Sequence, residues 1–377
     1  MSLKQGEIFS EQPINESDRA FLTQIEQNNK THVVDKEELA DLMQQAHTIY
    51  SQQFDNSVWF ERSLFTNWTC GIADCRYCYL STKPKLDKTA VRSKASILAE
   101  ALVCKIMGWK VGYITGGLRV ESTEYMTQLL TDLHTVLEYK PKMNYGPYSP
   151  REIDSFKEHI AGLGCAVESF DEDLHKFICP SKPLPALMRF LRDCKEKDIP
   201  NFITIILGIG EKKSDIEDVI QKITEYNIDT VQLCFLKPQE KTVFDTVPPP
   251  NIEYMAWWTA KLRIAHPTIT IKIALVKERI EDFSTLLQAG AICFSRYFVF
   301  SDFASDFATK LENECEKVGR KLNGNFQEMI EFSAREEVEK LPFSQQLKDD
   351  MCLKVIQYQH RLEKLVKKKQ KLQEEKI

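Results

Sequence analysis

The spacing of apolar positions changes as the chain proceeds. In residues 1–60, Ile25, Leu39, Leu42, Met43 and Ile49 recur at three- and four-residue steps, the period of one helix face, and Asp35 stands where it can cap the second helix. From about residue 61 short apolar runs alternate with amphipathic stretches. The runs Arg62–Trp68, Val111–Gly116, Lys142–Tyr145, Ala166–Phe170, Phe202–Leu207, Thr230–Leu236, Thr268–Leu275 and Ala291–Phe298 predict eight strands. Helical spacing predicts helices over Val91–Met107, Ser122–Glu138, Pro150–Leu163, Leu184–Lys197, Ser214–Tyr226, Ile252–Ala265 and Glu278–Gln288. Strand–helix alternation implies parallel strands joined by right-handed crossovers. Eight such units across residues 61–300 fit a (β/α)8 barrel of the TIM type, with an open doubly wound sheet as the alternative. Residues 1–60 then form a helical lead-in, and residues 301–377 a helical extension. The tail from Val355 carries Arg361, Lys364, Lys367, Lys368, Lys369, Lys371 and Lys376, with Leu362, Leu365 and Leu372 between them. That pattern reads as a solvated surface helix, or else as a docking helix for an acidic partner.

Composition narrows the class. The 377 residues are 43% hydrophobic and 28% charged, so wholesale disorder is excluded. A net charge of −5 argues against wrapping of nucleic acid or binding to an anionic membrane. No stretch approaches the roughly 18 apolar residues of a membrane span, and residues 1–20 lack the apolar core of a signal peptide. Eleven cysteines, an odd number, in such a chain point to a cytoplasmic protein with reduced thiols that are buried, metal-bound or reactive.

Three of those cysteines carry the chemistry. In Thr66-Asn67-Trp68-Thr69-Cys70-Gly71-Ile72-Ala73-Asp74-Cys75-Arg76-Tyr77-Cys78-Tyr79 they fall within nine residues, at the end of the first expected strand. Thiolates are soft ligands for zinc or iron–sulfur clusters. A structural zinc site takes four ligands, but the next cysteine, Cys104, lies in an expected helix. Three ligands on a loop leave one metal position open, as a catalytic site requires.

The spacing Cys70-x4-Cys75-x2-Cys78, with the aromatic Tyr77 before the last thiol, resembles the radical S-adenosylmethionine (radical SAM) superfamily. The usual first gap there is one residue shorter. The resemblance continues along the barrel. Tyr113-Ile114-Thr115-Gly116-Gly117 matches the glycine motif of the second strand, which in the family receives the amino group of S-adenosylmethionine. Glu168, in Ala166-Val167-Glu168-Ser169-Phe170, matches the acidic or amide residue supplied by the fourth strand. Gly208-Ile209-Gly210-Glu211 resembles the turn that shapes the nucleoside pocket, a purely structural turn being the alternative, with Ser214 and Asp215 as caps of the following helix. Leu236 corresponds to a residue lining the adenine pocket. The family's arginine for the S-adenosylmethionine carboxylate has only Lys182 and Arg189 as nearby substitutes.

The resemblance implies a [4Fe–4S] cluster held by Cys70, Cys75 and Cys78, with S-adenosylmethionine on the fourth iron and a 5′-deoxyadenosyl radical as the product of one-electron cleavage. Overall the chain is similar to the biotin-synthase-like group, including archaeal-type lipoyl synthase and iron-guanylylpyridinol cofactor proteins. Tyr113 and Phe202 stand where biotin synthase has cysteines for an auxiliary cluster. Cys165, Cys179, Cys234 and Cys293 could build another, although buried packing is their ordinary role. The expected function is cofactor biosynthesis, either sulfur insertion into an octanoyl chain or carbon-skeleton construction. The substrate would be a small molecule or a carrier-protein-bound acyl group, and the electron donor a ferredoxin or flavodoxin. No membrane or nucleic-acid partner is expected. The alternatives are a radical SAM enzyme acting on protein or tRNA, and a non-catalytic zinc-binding interaction protein.

Overall fold

The computed structural model describes residues 16–374. Two helices, α1 (Glu16–Thr31) and α2 (Lys36–Gln53), lead in, and Asp35 caps the second by accepting from the N–H groups of Glu37 and Glu38. The strands are β1 (Ser57–Phe65), β2 (Lys110–Thr115), β3 (Lys142–Gly146), β4 (Gly162–Glu168), β5 (Asn201–Leu207), β6 (Ile228–Phe235), β7 (Thr270–Ala274) and β8 (Cys293–Ser295). Between them run α3 (Lys94–Ile106), α4 (Thr123–Leu137), α5 (Pro150–Phe156), α6 (Glu172–Ile178), α7 (Leu184–Glu196), α8 (Asp215–Tyr226), α9 (Ile252–Ala265) and α10 (Phe283–Gln288). All pairings are parallel, and β1 joins both β2 and β8, so the eight strands close into a barrel. The chain continues through α11 (Val299–Asp302), α12 (Asp306–Glu316), a short β9 (Lys321–Asn323) paired to the start of β1, α13 (Ala334–Glu339) and α14 (Gln345–Glu374).

The outward strand positions Leu64, Ile114, Met143, Leu163, Val167, Ile203, Leu233 and Ile273 are buried under the helices and form the main core. Inside the barrel the Lys272 ammonium contacts the Glu61 carboxylate, which Lys110 also reaches at 3.0 Å. Burial opposes ionisation of Glu61, but the two lysines outweigh it and hold the carboxyl below its usual range. This pair reinforces the seam where β8 and β1 meet over only Trp59–Cys293 and Phe60–Phe294.

Five expectations are corrected. The first strand is Ser57–Phe65, not Arg62–Trp68, because Thr66 and Asn67 turn away to bond Glu121. The helix expected over Pro150–Leu163 stops at Phe156, and Leu163 is a buried β4 residue. Ser214 makes no capping bond; the Asp215 carboxylate instead accepts from the Lys212 N–H at 2.9 Å. The tail is not simply solvated. α14 packs on α3, burying Met351, Cys352, Val355 and Leu362, and the Tyr358 hydroxyl donates to Glu100 at 3.1 Å. The extension also contributes β9, so it is not wholly helical. The expected lead-in includes residues 1–15, which lie outside the described residues.

Candidate functional site

The three cysteines lie on the segment that follows β1 at the carboxyl-terminal mouth of the barrel. Backbone bonds tie this loop to three neighbours. Gly71 N–H donates to Leu118 O at 2.8 Å after β2, Arg76 N–H to Ile178 O at 2.9 Å in α6, and Val243 N–H to Arg76 O at 3.2 Å after β6. Cys70 is buried, and its Sγ accepts from the Leu118 N–H at 3.3 Å; Cys75 and Cys78 are half-buried. The long first gap is absorbed at Ala73, whose φ of 41° lies in the left-handed region. Ile72, Leu80 and Leu118 form an apolar sleeve around the loop.

Burial pushes the Cys78 thiol up to about 12, and the nearby Cys75 and Cys70 thiols add to that. Three thiols within electrostatic reach of one another lose their protons readily only to a cation. Among the described residues no group of three His, Cys, Asp or Glu side chains is close enough to hold a single metal ion. A cluster places each thiolate on a different iron, so this donor set fits an iron–sulfur cluster better than one zinc ion.

Beneath the loop stands Glu168. Its φ of 66° and a register irregularity after Ala166 turn the end of β4. One carboxylate oxygen accepts from the Tyr77 hydroxyl and from the Lys182 ammonium at 3.0 Å. The other is buried and finds no donor among the described residues, which suits a ligand hydroxyl or ammonium. Burial works against the Lys182 charge, yet Glu168 outweighs it and the ammonium holds its proton above the usual lysine range. His175 fixes the turn through Ser169 O at 3.2 Å and Lys182 O at 2.7 Å. Lys182 is thus committed to Glu168 and to Ala166 O at 2.6 Å, while Arg189 is exposed on α7. The structure brings only the first of these two expected cations to the site.

The glycines also serve the packing of the cysteine loop. A Cβ on Gly117 would lie 1.7 Å from Thr69 O, and one on Gly116 2.6 Å from the Tyr145 hydroxyl. The close approach is therefore made by the cysteine loop itself. Gly117 N–H donates to Asn67 Oδ1 at 2.8 Å, while Thr66 Oγ1 and Asn67 Nδ2 donate to Glu121 at 2.6 and 2.8 Å. This polar network was not singled out in the sequence, although Thr66 and Asn67 directly precede the triplet. Glu121 lines a cavity of about 270 Å³ together with Ile72, Arg119, Tyr145 and Lys182.

At β5, Glu211 accepts from the N–H groups of Gly208 at 2.7 Å, Ile209 at 3.1 Å and Gly210 at 3.2 Å, and burial pushes its carboxyl up to about 7. The turn is closed on itself through Glu211, and Gly208 O is taken by Asn29 of α1 at 2.7 Å. Leu236 is buried in one apolar cluster with Ile206 and Cys179, against which Cys75 and Tyr77 pack. α1 covers this side of the mouth. Asp18 pairs with Arg76 at 2.8 Å, and Arg76 sits over the Phe177 ring.

Of the other cysteines, Cys179 lies in the apolar cluster against which Cys75 packs, and its proximity holds the Cys75 thiol below its usual range. Cys165 lies within β4 rather than beside it. It is buried, as are Cys104, Cys194, Cys234, Cys293 and Cys315.

Residues 70–223 match the Radical SAM superfamily. An uncharacterized protein of Methanocaldococcus jannaschii is 32% identical over 81% of this chain and 86% of its own length. A biotin synthase of Shewanella pealeana is 24% identical over 67% of this chain and 73% of its own. A 7,8-didemethyl-8-hydroxy-5-deazariboflavin synthase of Archaeoglobus fulgidus is 27% identical over 41% of this chain and 48% of its own. In fold, the crystal structure of methylornithine synthase superposes with a TM-score of 0.61 over 82% of this chain and 94% of that one, at 17% identity. With its closed parallel barrel, its cysteine loop at the strand ends and these relatives, the chain belongs to the biotin-synthase-like group of the radical SAM superfamily, whose members use a [4Fe–4S] cluster and S-adenosylmethionine.

Proposed function

We propose that Cys70, Cys75 and Cys78 are the protein ligands of the cluster, and that the enzyme abstracts hydrogen from a small substrate during carbon-skeleton construction in cofactor biosynthesis. The observation that carries this reading is the three-thiol loop locked to Glu168 and Lys182 through Tyr77. When bound, the cluster and S-adenosylmethionine supply a 5′-deoxyadenosyl radical by one-electron cleavage of a carbon–sulfur bond. The chain's own residues hold and orient. Glu168 offers its unpartnered oxygen to a hydroxyl or ammonium of S-adenosylmethionine, Leu236 and Ile206 give an apolar wall for adenine, and Gly116 and Gly117 let the cysteine loop sit on β2. Tyr113 and Phe202, in ring contact at 5.6 Å, favour skeleton chemistry over sulfur insertion, since biotin synthase places auxiliary-cluster cysteines there. In this reading residues 61–300 carry the chemistry, segments 1–60 and 301–377 cover the barrel, and the enzyme works in the cytoplasm with a ferredoxin or flavodoxin as electron donor.

Anaerobic reconstitution with iron and sulfide is expected to give about four irons per chain and, with dithionite, release of 5′-deoxyadenosine from S-adenosylmethionine. Zinc without iron in anaerobically purified protein, or a Cys75→Ala variant that still cleaves S-adenosylmethionine, would overturn the assignment.

A further inference from the structure

The inner face of the barrel is polar between its floor and its mouth. The floor is the Tyr113–Phe202 ring pair, with Lys272 over both rings and paired to Glu61. Tyr113 also donates across the barrel to Gln232 Oε1 at 3.0 Å, and Ser295 Oγ donates to the same oxygen at 3.0 Å. These contacts establish which strand positions face inward. Thr204 shares register with Gln232, and Ser63 with Tyr113, so both hydroxyls face the same interior.

Neither hydroxyl is satisfied. Ser63 is 5% exposed and Thr204 6% exposed, and Ser63 Oγ and Thr204 Oγ1 find no partner among the described residues. Gln232 Nε2 has only the Cys234 sulfur, at 3.8 Å. Burying such groups unpaired is costly, and native folds rarely do so without a ligand or water to bond them. Thr204 is level with Ala166, two residues before Glu168 on β4. Across the irregularity of β4 Glu168 is level with Ile205, so at a rise of about 3.3 Å per residue the Thr204 hydroxyl lies one β5 residue below the Glu168 layer, and Ser63 is level with Tyr113 of the floor. They are deeper than the level assigned above to S-adenosylmethionine. At the mouth, Arg296 directly follows β8 and is exposed.

We propose that this layer is the substrate subsite, and that it takes a small water-soluble carboxylic acid carrying hydroxyl or amino groups. Ser63, Thr204 and the Gln232 amide bond its polar groups, and Arg296 its carboxylate. This rests on the radical reading above and names its substrate class. An octanoyl chain would leave the buried hydroxyls unpaired.

The test uses reconstituted full-length enzyme and two sets of deuterated probes. One set is the amino acids together with three- to six-carbon hydroxy acids; the other is an octanoyl-lysine peptide. Deuterium is expected in 5′-deoxyadenosine from a member of the first set, and at least a tenfold loss of that transfer in Thr204→Val and Ser63→Ala. Thermal unfolding gives a readout independent of turnover: both variants are expected to keep or raise Tm, since each removes an unpaired buried hydroxyl. Transfer from the octanoyl peptide, no transfer from the first set, or a drop of several degrees in either variant's Tm overturns the proposal. Cleavage of S-adenosylmethionine without any probe separates the two readings. If it is absent, the radical assignment fails; if it is present without transfer from the first set, only the substrate class fails.

Discussion

The Tyr77 hydroxyl donates to the Glu168 carboxylate, joining the cysteine loop to the end of β4. Backbone bonds at Gly71 and Arg76 hold the loop's main chain, and the Tyr77 bond adds a side-chain tie to β4. The bond fixes Tyr77 between two cysteines and aims the carboxylate at the same time. Tyr77→Phe removes it without altering shape. Hydrogen bonds to charged groups contribute about 1.5–3 kcal/mol, so binding of S-adenosylmethionine to the reconstituted variant is expected to weaken about tenfold or more. Equilibrium binding with Tm measured alongside checks this; unchanged affinity would show that the bond positions nothing.

Lys182 and Glu168 form a buried pair, with side chains only 5% and 2% exposed. Removing one partner of such a pair costs about 3–5 kcal/mol because a charge remains buried alone. Lys182→Met is expected to lower the urea midpoint clearly, and the double variant Lys182→Met/Glu168→Gln to recover much of the loss. If the single variant matches wild type, the pair is not a structural anchor of the site.

The cysteines divide by role. Cys70→Ala, Cys75→Ala and Cys78→Ala are each expected to abolish iron retention after reconstitution while leaving the circular dichroism spectrum intact. Cys165→Ala, in the strand core, is expected to keep its iron and to lose stability by an amount set by the small cavity it leaves. Iron assays on the four proteins decide this, and iron loss in the last would place Cys165 in the metal site.

Acid should weaken the barrel seam. Glu61 has its carboxyl held below the ordinary value of about 4.3 by Lys272 and Lys110, against the effect of burial. Its contribution is fully present above that ordinary value and is lost as the pH falls towards the lower folded value, because the unfolded chain then binds the proton first. Tm is expected to fall below about pH 4.3, and Glu61→Gln/Lys272→Met to show a shallower fall. Equal slopes for the two proteins would remove Glu61 from the acid transition.

Truncation before Val355 is expected to destabilise the fold rather than to abolish docking. Val355 and Leu362 are buried against the core, and Tyr358 bonds Glu100, which pairs with Arg62 and Arg92 at 2.8 Å. A drop of many degrees in Tm after removal of residues 355–377 is the expected result; unchanged Tm would restore the solvated-tail reading.

Much of this protein was legible along the chain. The alternation of β and α periods determined a parallel β/α architecture, while the pairing of β1 with β8 decided for a closed barrel over an open doubly wound sheet. The cysteine spacing and Tyr77 announced the family, since three cysteines within nine residues stay on one loop however the chain folds. Other features depended on residues far apart in sequence. Lys182 rather than Arg189 reached Glu168 because α7 turns the arginine to solvent. Thr69 packs where a Gly117 side chain would stand, and Ser63 and Thr204 came to face one interior only in the closed barrel. A strand's period tells which positions share a face, but only closure decides which residues look at one another across the interior and which polar atoms are left there without a partner.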